Sequence, residues 1–200
     1  MTEAAFFDLD KTIIAKSSTL AFTGKLHKAG LLGRKTLMRT AISQTFYVLF
    51  GADHDQLEKT REMLLTLTKG WDRAEIETIV RETLDDVVAP LVYAEALFLI
   101  DEHLREGRRV FIVSASPDEV VGPLAEYIGV EDVIATRPGV DEDGRYTGEV
   151  EFYAYAENKA VAIREVAEAE GIDLAGSYAY SDSATDLPMM QVVGHPVAVN

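Results

Sequence analysis

The sequence contains no cysteine, which excludes disulfides, thiolate metal sites and cysteine nucleophiles. That absence fits a reducing compartment. No uninterrupted apolar segment approaches the length of a bilayer span. The first residues, Met1 to Asp8, lack the basic start and the long apolar stretch of a secretory signal. A cytoplasmic protein is therefore the expectation. Positive charge is scarce as well: the formal net charge is -15 over 200 residues, so no nucleic-acid partner is expected.

One local absence has the opposite sign. From Lys11 to Ala52 there is no Asp or Glu, yet Lys11, Lys16, Lys25, Lys28, Arg34, Lys35 and Arg39 all fall there. The plain reading is a helix pair with a solvated basic face. A functional reading is a funnel that draws an anionic substrate toward an acidic protein. Apolar residues such as Leu37, Met38, Ile42 and Phe46 lie among the basic ones, so contact with an anionic membrane surface is a narrower version.

What is present is globular: 48% of residues are hydrophobic and 26% charged, enough for one domain carrying a substantial insert. Short apolar runs read as buried strands, Ala4–Phe7 ending at Asp8, Arg109–Val113 ending at Ser114, and Ser177–Ser181 ending at Asp182. A fourth, Pro196–Val199, lies near the end of the sequence. Helical patterns fill the gaps: Leu91–Glu106 stopped by Gly107, Ser116 to about Ile128, and Asn158–Glu170 stopped by Gly171. In the second of these Ser116 is placed as N-cap, Pro117 at the first helical position and Glu119 in a capping box. Alternating strands and helices predict a parallel sheet covered on both faces. The Asp143-Gly144 pair predicts a tight hairpin between Val140 and Thr147. Residues 15–88 differ, with helical periodicity at Leu20–Ala29, Arg34–Phe50, Asp55–Lys69 and Arg73–Val88. They predict a helical insert after the first strand.

Each of the first three strands delivers a polar residue at its carboxyl end, the edge where open α/β sheets bind ligands. Asp8 and Asp10 sit two residues apart just past the first strand. One carboxylate can attack phosphorus while the other exchanges protons with the leaving oxygen and with water. A hard, oxygen-ligated cation such as Mg2+ would screen the anionic phosphate from an anionic nucleophile. Ser114 and the backbone N–H groups around Ala115 and Ser116, at a helix start, can cradle a phosphate. Lys159 lies in the first turn of its helix, the unfavourable end of the helix dipole, where an anion in front of it would remove the conflict. Asp182 and Asp186 sit in the turn after the third strand, where Asp182 can complete a metal site with Asp8. The plainer alternatives are a solvated acidic turn, helix-capping serines, a surface lysine and an Asp/Ser-rich turn capped by Asp182 or Ser183.

Four such segments, in this order and all at strand ends or helix starts, resemble the four motifs of haloacid dehalogenase (HAD) superfamily hydrolases. The segments Ser114-Ala115-Ser116-Pro117 and Tyr180-Ser181-Asp182-Ser183-Ala184 are similar to those of subfamily IB, which contains phosphoserine phosphatase. The resemblance implies a Rossmann-like three-layer α/β core over residues 1–14 and 89–200, with a C1-type helical cap at 15–88. It implies a phosphoric monoester hydrolase in which Asp8 forms an aspartyl-phosphate and Asp10 is the general acid and base. Thr12, Ser114, Ala115 and Lys159 would hold the phosphate. Asp8, the Asp10 main-chain carbonyl and Asp182 would bind Mg2+, with Ser183, Thr185 and Asp186 in support. Lys11, Lys16, Ser17 and Arg61 are the residues expected to select the substrate, a small anionic phosphomonoester. The sequence departs from the phosphoserine phosphatase pattern in carrying Lys11 in place of serine, and Ala15-Lys16-Ser17-Ser18 where a glutamate binds the substrate amine. Ala115 replaces a glycine and Thr185 an asparagine. Members of the subfamily usually continue past the position matching Asn200.

Overall fold

The computed structural model describes residues 2–33 and 64–200. Six strands form one sheet in the order β4-β3-β2-β1-β5-β6. They are β1 Ala4–Asp8, β2 Arg109–Pro117, β3 Asp132–Val140, β4 Tyr146–Phe152, β5 Tyr178–Ser181 and β6 His195–Ala198. All neighbours pair in parallel except β3 and β4, which form an antiparallel hairpin at the edge. The predicted parallel sheet thus gains one reversed strand, because the Asp141–Arg145 turn folds the chain straight back. There Asp141 accepts backbone bonds from Asp143 and Arg145 on its carboxylate, and Gly144 takes φ 78°.

β1 is the central strand, paired with β2 from Ala4 to Asp8 and with β5 at Ala5 to Phe7. Its alternating side chains feed two cores. Ala5 and Phe7 point into the one that also holds Ile100, Ile112 and Leu124, whereas Ala4 and Phe6 join Phe111, Ile163 and Met189 on the other face. Each fully buried Phe stabilises the fold by about 1.5–3 kcal/mol relative to leaving it in water.

Helices Ala94–Arg105 and Asp118–Tyr127 lie on the first face and Glu157–Glu170 on the second, as their buried residues show. His103 fastens the first of these helices to β5, its Nε2 lying 2.8 Å from the Tyr180 hydroxyl. Between Ala15 and Val88 the described chain is helical, as expected, though Leu20–Ala29 resolves into two short helices, Ser18–Ala21 and Thr23–Lys28. The Arg73–Val87 helix follows an Asp72 N-cap whose carboxylate accepts from the N–H groups of Ala74 and Glu75. It buries Ile76, Val80 and Leu84 against the core. The patterns at Arg34–Phe50 and most of Asp55–Lys69, with Arg61, lie outside the described residues.

The capping box expected at Ser116 does not form. β2 runs on to Pro117, which is itself the N-cap of the Asp118–Tyr127 helix. Ser116 instead faces Ser18 across 2.8 Å between their hydroxyl oxygens, and Glu119 lies beside Arg73. The favourable local cap is overridden by contacts from residues far away in sequence.

Candidate active site

The carboxyl ends of β1, β2 and β5, together with the start of the Glu157–Glu170 helix, carry the residues singled out in the sequence. Asp8 is the last residue of β1 and is only 7% exposed. Lys159 reaches it from the helix across 2.7 Å, and the same ammonium meets Asp186 at 2.8 Å. The lysine at the unfavourable helix end thus has anions before it. Asp186 also accepts from the Ser181 hydroxyl at 2.8 Å. One cation therefore sits between two buried carboxylates, which leaves one negative charge in excess.

That excess shapes the titration of the site. Burial pushes the Asp8 carboxyl up to about 7, with Lys159 opposing and Asp186 adding to the shift. Burial alone would lower the Lys159 ammonium, but Asp8 and Asp186 outweigh it and hold it above the usual lysine value. The lysine is the fixed charge and the Asp8 carboxyl is the group able to take up a proton.

Asp10 is also raised, first by burial. Opposing that are the Ser18 backbone N–H, 2.8 Å from Asp10 Oδ1, and the hydroxyls of Ser18 and Ser17. A carboxyl poised by burial yet held by three donors is suited to giving and retaking a proton. Between Asp8 and Asp10 the chain begins a tight turn: the N–H groups of Thr12, Ile13 and Ile14 all point at the Leu9 carbonyl. Lys11 sits in that turn at φ 65°, with its side chain in solvent.

Thr12 ties two of the segments together, its hydroxyl accepting from the Asp182 N–H at 3.2 Å. Ser114 is buried at the end of β2 and accepts from the Ser116 N–H at 3.1 Å. The adjoining Ala115 carbonyl is held by the Thr136 hydroxyl at 2.8 Å. Ser183 caps the short turn at Ala184–Asp186, accepting from the Thr185 N–H, and the two hydroxyls lie 2.8 Å apart. Of the residues expected to select substrate, Lys16 is exposed and Ser17 bonds to Asp10.

Among the described residues no three Asp, Glu or His side chains converge on a point that could hold a metal ion. The expected cation site needs only two, Asp8 and Asp182, with the Asp10 carbonyl as third donor. Asp8 commits one oxygen to Lys159, and the Asp182 carboxylate has no hydrogen bond or ion pair among the described residues. An all-oxygen set of this kind fits a hard cation such as Mg2+.

Two serines at the site were not singled out in the sequence. Ser18 links the helical insert to Asp10 and Ser116, and Ser181 links β5 to Asp186 and to the Ser183 N–H. A clue to Ser181 lay in its position at the carboxyl end of a strand, beside Asp182.

The helix that carries Lys159 starts from a strained residue. Ala156, its N-cap, has φ 49° and ψ -120°, a conformation that favours glycine. Ala156→Gly is expected to raise stability by about 1 kcal/mol, read as a higher urea midpoint with an unchanged denaturant slope.

The chain is 54% identical over 197 residues to the "Inhibition of morphological differentiation protein" of Streptomyces azureus, covering 98% of this chain and 71% of that protein. It is 55% identical over the same length to a Mycobacterium tuberculosis (strain ATCC 25618 / H37Rv) protein named a probable phosphatase, covering 98% and 68%. The crystal structure of a protein of unknown function from Bordetella pertussis Tohama I matches with a TM-score of 0.84 at 29% identity, covering 99% of this chain and 90% of that one. The haloacid dehalogenase-like hydrolase profile matches residues 5–191, a span that includes Asp8, Ser114, Lys159 and Asp186. The chain belongs to the haloacid dehalogenase-like hydrolase family.

Proposed function

We propose that this hydrolase is a Mg2+-dependent phosphatase acting on a small anionic phosphomonoester through an aspartyl-phosphate on Asp8. The observation that carries the reading is the buried Asp8 carboxylate at the end of the central strand, held by Lys159 with Asp10 two residues beyond. The name of the Mycobacterium tuberculosis relative agrees with it.

An Asp8 oxygen attacks phosphorus and the ester P–O bond breaks. The Asp10 carboxyl gives its proton to the departing alkoxide. Water then attacks the phosphorus of the aspartyl-phosphate, the Asp10 carboxylate takes a proton from that water, and inorganic phosphate leaves with Asp8 restored. Lys159 and Ser114, aided by the backbone N–H of Ala115, hold the phosphoryl oxygens, while Thr12 keeps the first and fourth segments together. Bound Mg2+, held by Asp8, Asp182 and the Asp10 carbonyl, would supply the charge neutralisation that lets two anions meet. Ser183, Thr185 and Asp186 support this arrangement. Residues 15–88 form a helical cap on a core of 1–14 and 89–200. Lys11, Lys16, Ser17 and Arg61 bear on substrate choice in a cytoplasmic enzyme.

An activated aryl phosphate tests the reaction. Turnover is expected with Mg2+, to fall roughly 100-fold or more with a chelator, and to return when Mg2+ is added back. Turnover that ignores the chelator would sink the metal-assisted mechanism. A panel of phosphoserine, glycerol phosphates and lysophosphatidic acid then identifies the substrate class.

A further inference from the structure

Away from Asp8, three elements bring ionisable side chains to one buried point. Arg73 opens the helix that closes the 15–88 segment, Asp118 and Glu119 open the helix after β2, and Tyr146 opens β4. Arg73 Nε lies 2.8 Å from Glu119 Oε1, and its Nη2 lies 3.2 Å from Asp118 Oδ2. The Glu119 side chain is 1% exposed, against 27% for Asp118. The close approach of Arg73 to Glu119 is not an aligned hydrogen bond: both Glu119 oxygens and Asp118 Oδ1 are buried without one among the described residues.

The charges do not balance. One guanidinium faces two carboxyl groups, and the Tyr146 phenol, raised by burial and by Glu119, adds no cation. Burying a surplus anion is costly, so the deeper carboxyl keeps a proton. Its titration agrees: burial first, then Asp118, push Glu119 up to about 8, with Arg73 opposing.

The cluster is also a junction. The Gly70 N–H donates to the Tyr146 carbonyl, the Tyr146 N–H to the Trp71 carbonyl, and the Arg73 N–H to the Gly144 carbonyl, so residues 70–73 extend the hairpin. Arg81 pairs with Glu126, and Tyr127 donates to Asp85, further along the same two helices. Glu119 therefore lies where the insert, the hairpin and the helix following Ser114 and Ser116 meet.

We propose that Glu119 is a positioning residue, a proton-dependent latch that in its neutral form joins the insert and the hairpin to the helix behind the Ser114 loop. When Glu119 ionises, the surplus charge loosens the junction and the loop loses its alignment with the insert. The consequence for substrate binding rests on the phosphatase reading, but the latch itself does not.

Two measurements on the full chain test it, with Glu119→Gln as a mimic of the neutral acid. Thermal midpoints are compared between about pH 4 and pH 9. The wild type is expected to match Glu119→Gln near pH 4 and to fall progressively below it as pH rises toward about 8, with a gap of at least about 3 °C from there upward. Asp118→Asn removes the surplus charge by another route and is expected to flatten the same limb, which keeps the test decisive should Glu119→Gln fold poorly. Parallel pH curves for wild type and folded variants would overturn the latch. The wild-type KM for an aryl phosphate is expected to rise roughly threefold relative to Glu119→Gln over the same range, with little change in kcat. Equal KM values throughout would overturn the link to the Ser114 loop. Absence of turnover at every pH would count against the phosphatase reading, while the thermal midpoints would still decide the latch.

Discussion

Replacing Asp8 by asparagine is expected to abolish turnover while making the metal-free chain more stable above neutral pH. The loss follows from the chemistry: an amide does not attack phosphorus, and turnover is expected to fall at least ~10,000-fold. The gain follows from the charge surplus. The Asp8 carboxyl titrates near pH 7 in the folded chain, against 3.8 for the free side chain. The stability lent by its neutral form is therefore complete below about pH 4 and lost as pH rises through about 7. Asparagine does not titrate, and it leaves Lys159 and Asp186 as a balanced pair. A gain on the order of 2 kcal/mol at pH 8 is expected, smaller than the full titration penalty because the Asp8–Lys159 contact is lost. Urea unfolding in the presence of chelator at pH 5 and pH 8 reads it. An Asp8→Asn chain that keeps its turnover, or that is equally destabilised at both pH values, would contradict this account of the site.

Lys159→Met is expected to have the second large effect, and in the opposite direction for stability. It strips the only cation bonded to Asp8 and Asp186 among the described residues and leaves two carboxylates inside the protein. Breaking a buried pair in this way costs about 3–5 kcal/mol at pH 8. The loss shrinks toward pH 5, because the Asp8 carboxyl can then take up a proton. Turnover is expected to drop by about 100- to 1000-fold at least, since the lysine is a fixed donor to the phosphoryl group. Adding Asp186→Asn in the same chain removes one orphaned charge and is expected to recover part of the stability, giving a coupling of about 1–3 kcal/mol. A Lys159→Met loss that does not change with pH would mean that the lysine acts through packing alone.

Much of the fold and the candidate site could be read from the sequence, for an identifiable reason. Asp8, Ser114 and Asp182 each follow or end an apolar strand, and in an open parallel sheet those ends share one edge. Lys159 could be singled out because its place in the first helical turn made no electrostatic sense alone. What stayed hidden depended on partners distant along the chain. Ser116 looked like a cap because Ser-Pro-Asp-Glu is a good local helix start, but Ser18, 98 residues away, claims its hydroxyl. Glu119 looked like the other half of that cap, and its buried place beside Arg73 and Tyr146 follows from helix packing that no local pattern encodes. The reversed β4 needed the hairpin turn to be read together with the sheet order. Lys11 and Lys16, where the sequence departs from the phosphoserine phosphatase pattern, both lie in solvent and make no hydrogen bond or ion pair with Asp8 or Asp10 among the described residues.

The central position of β1 also constrains how the protein is made. Ala4–Asp8 are synthesised well before either partner strand, since the nearest begins at Arg109 and the other at Tyr178. At a synthesis rate of about 5–20 residues per second, an apolar strand with two phenylalanines waits roughly 5–20 s before β2 is available to pair with it. During that interval the nascent chain offers an uncovered, sticky edge, so its yield in the cell should depend on a chaperone that shields this strand until Ile112 and Val113 emerge.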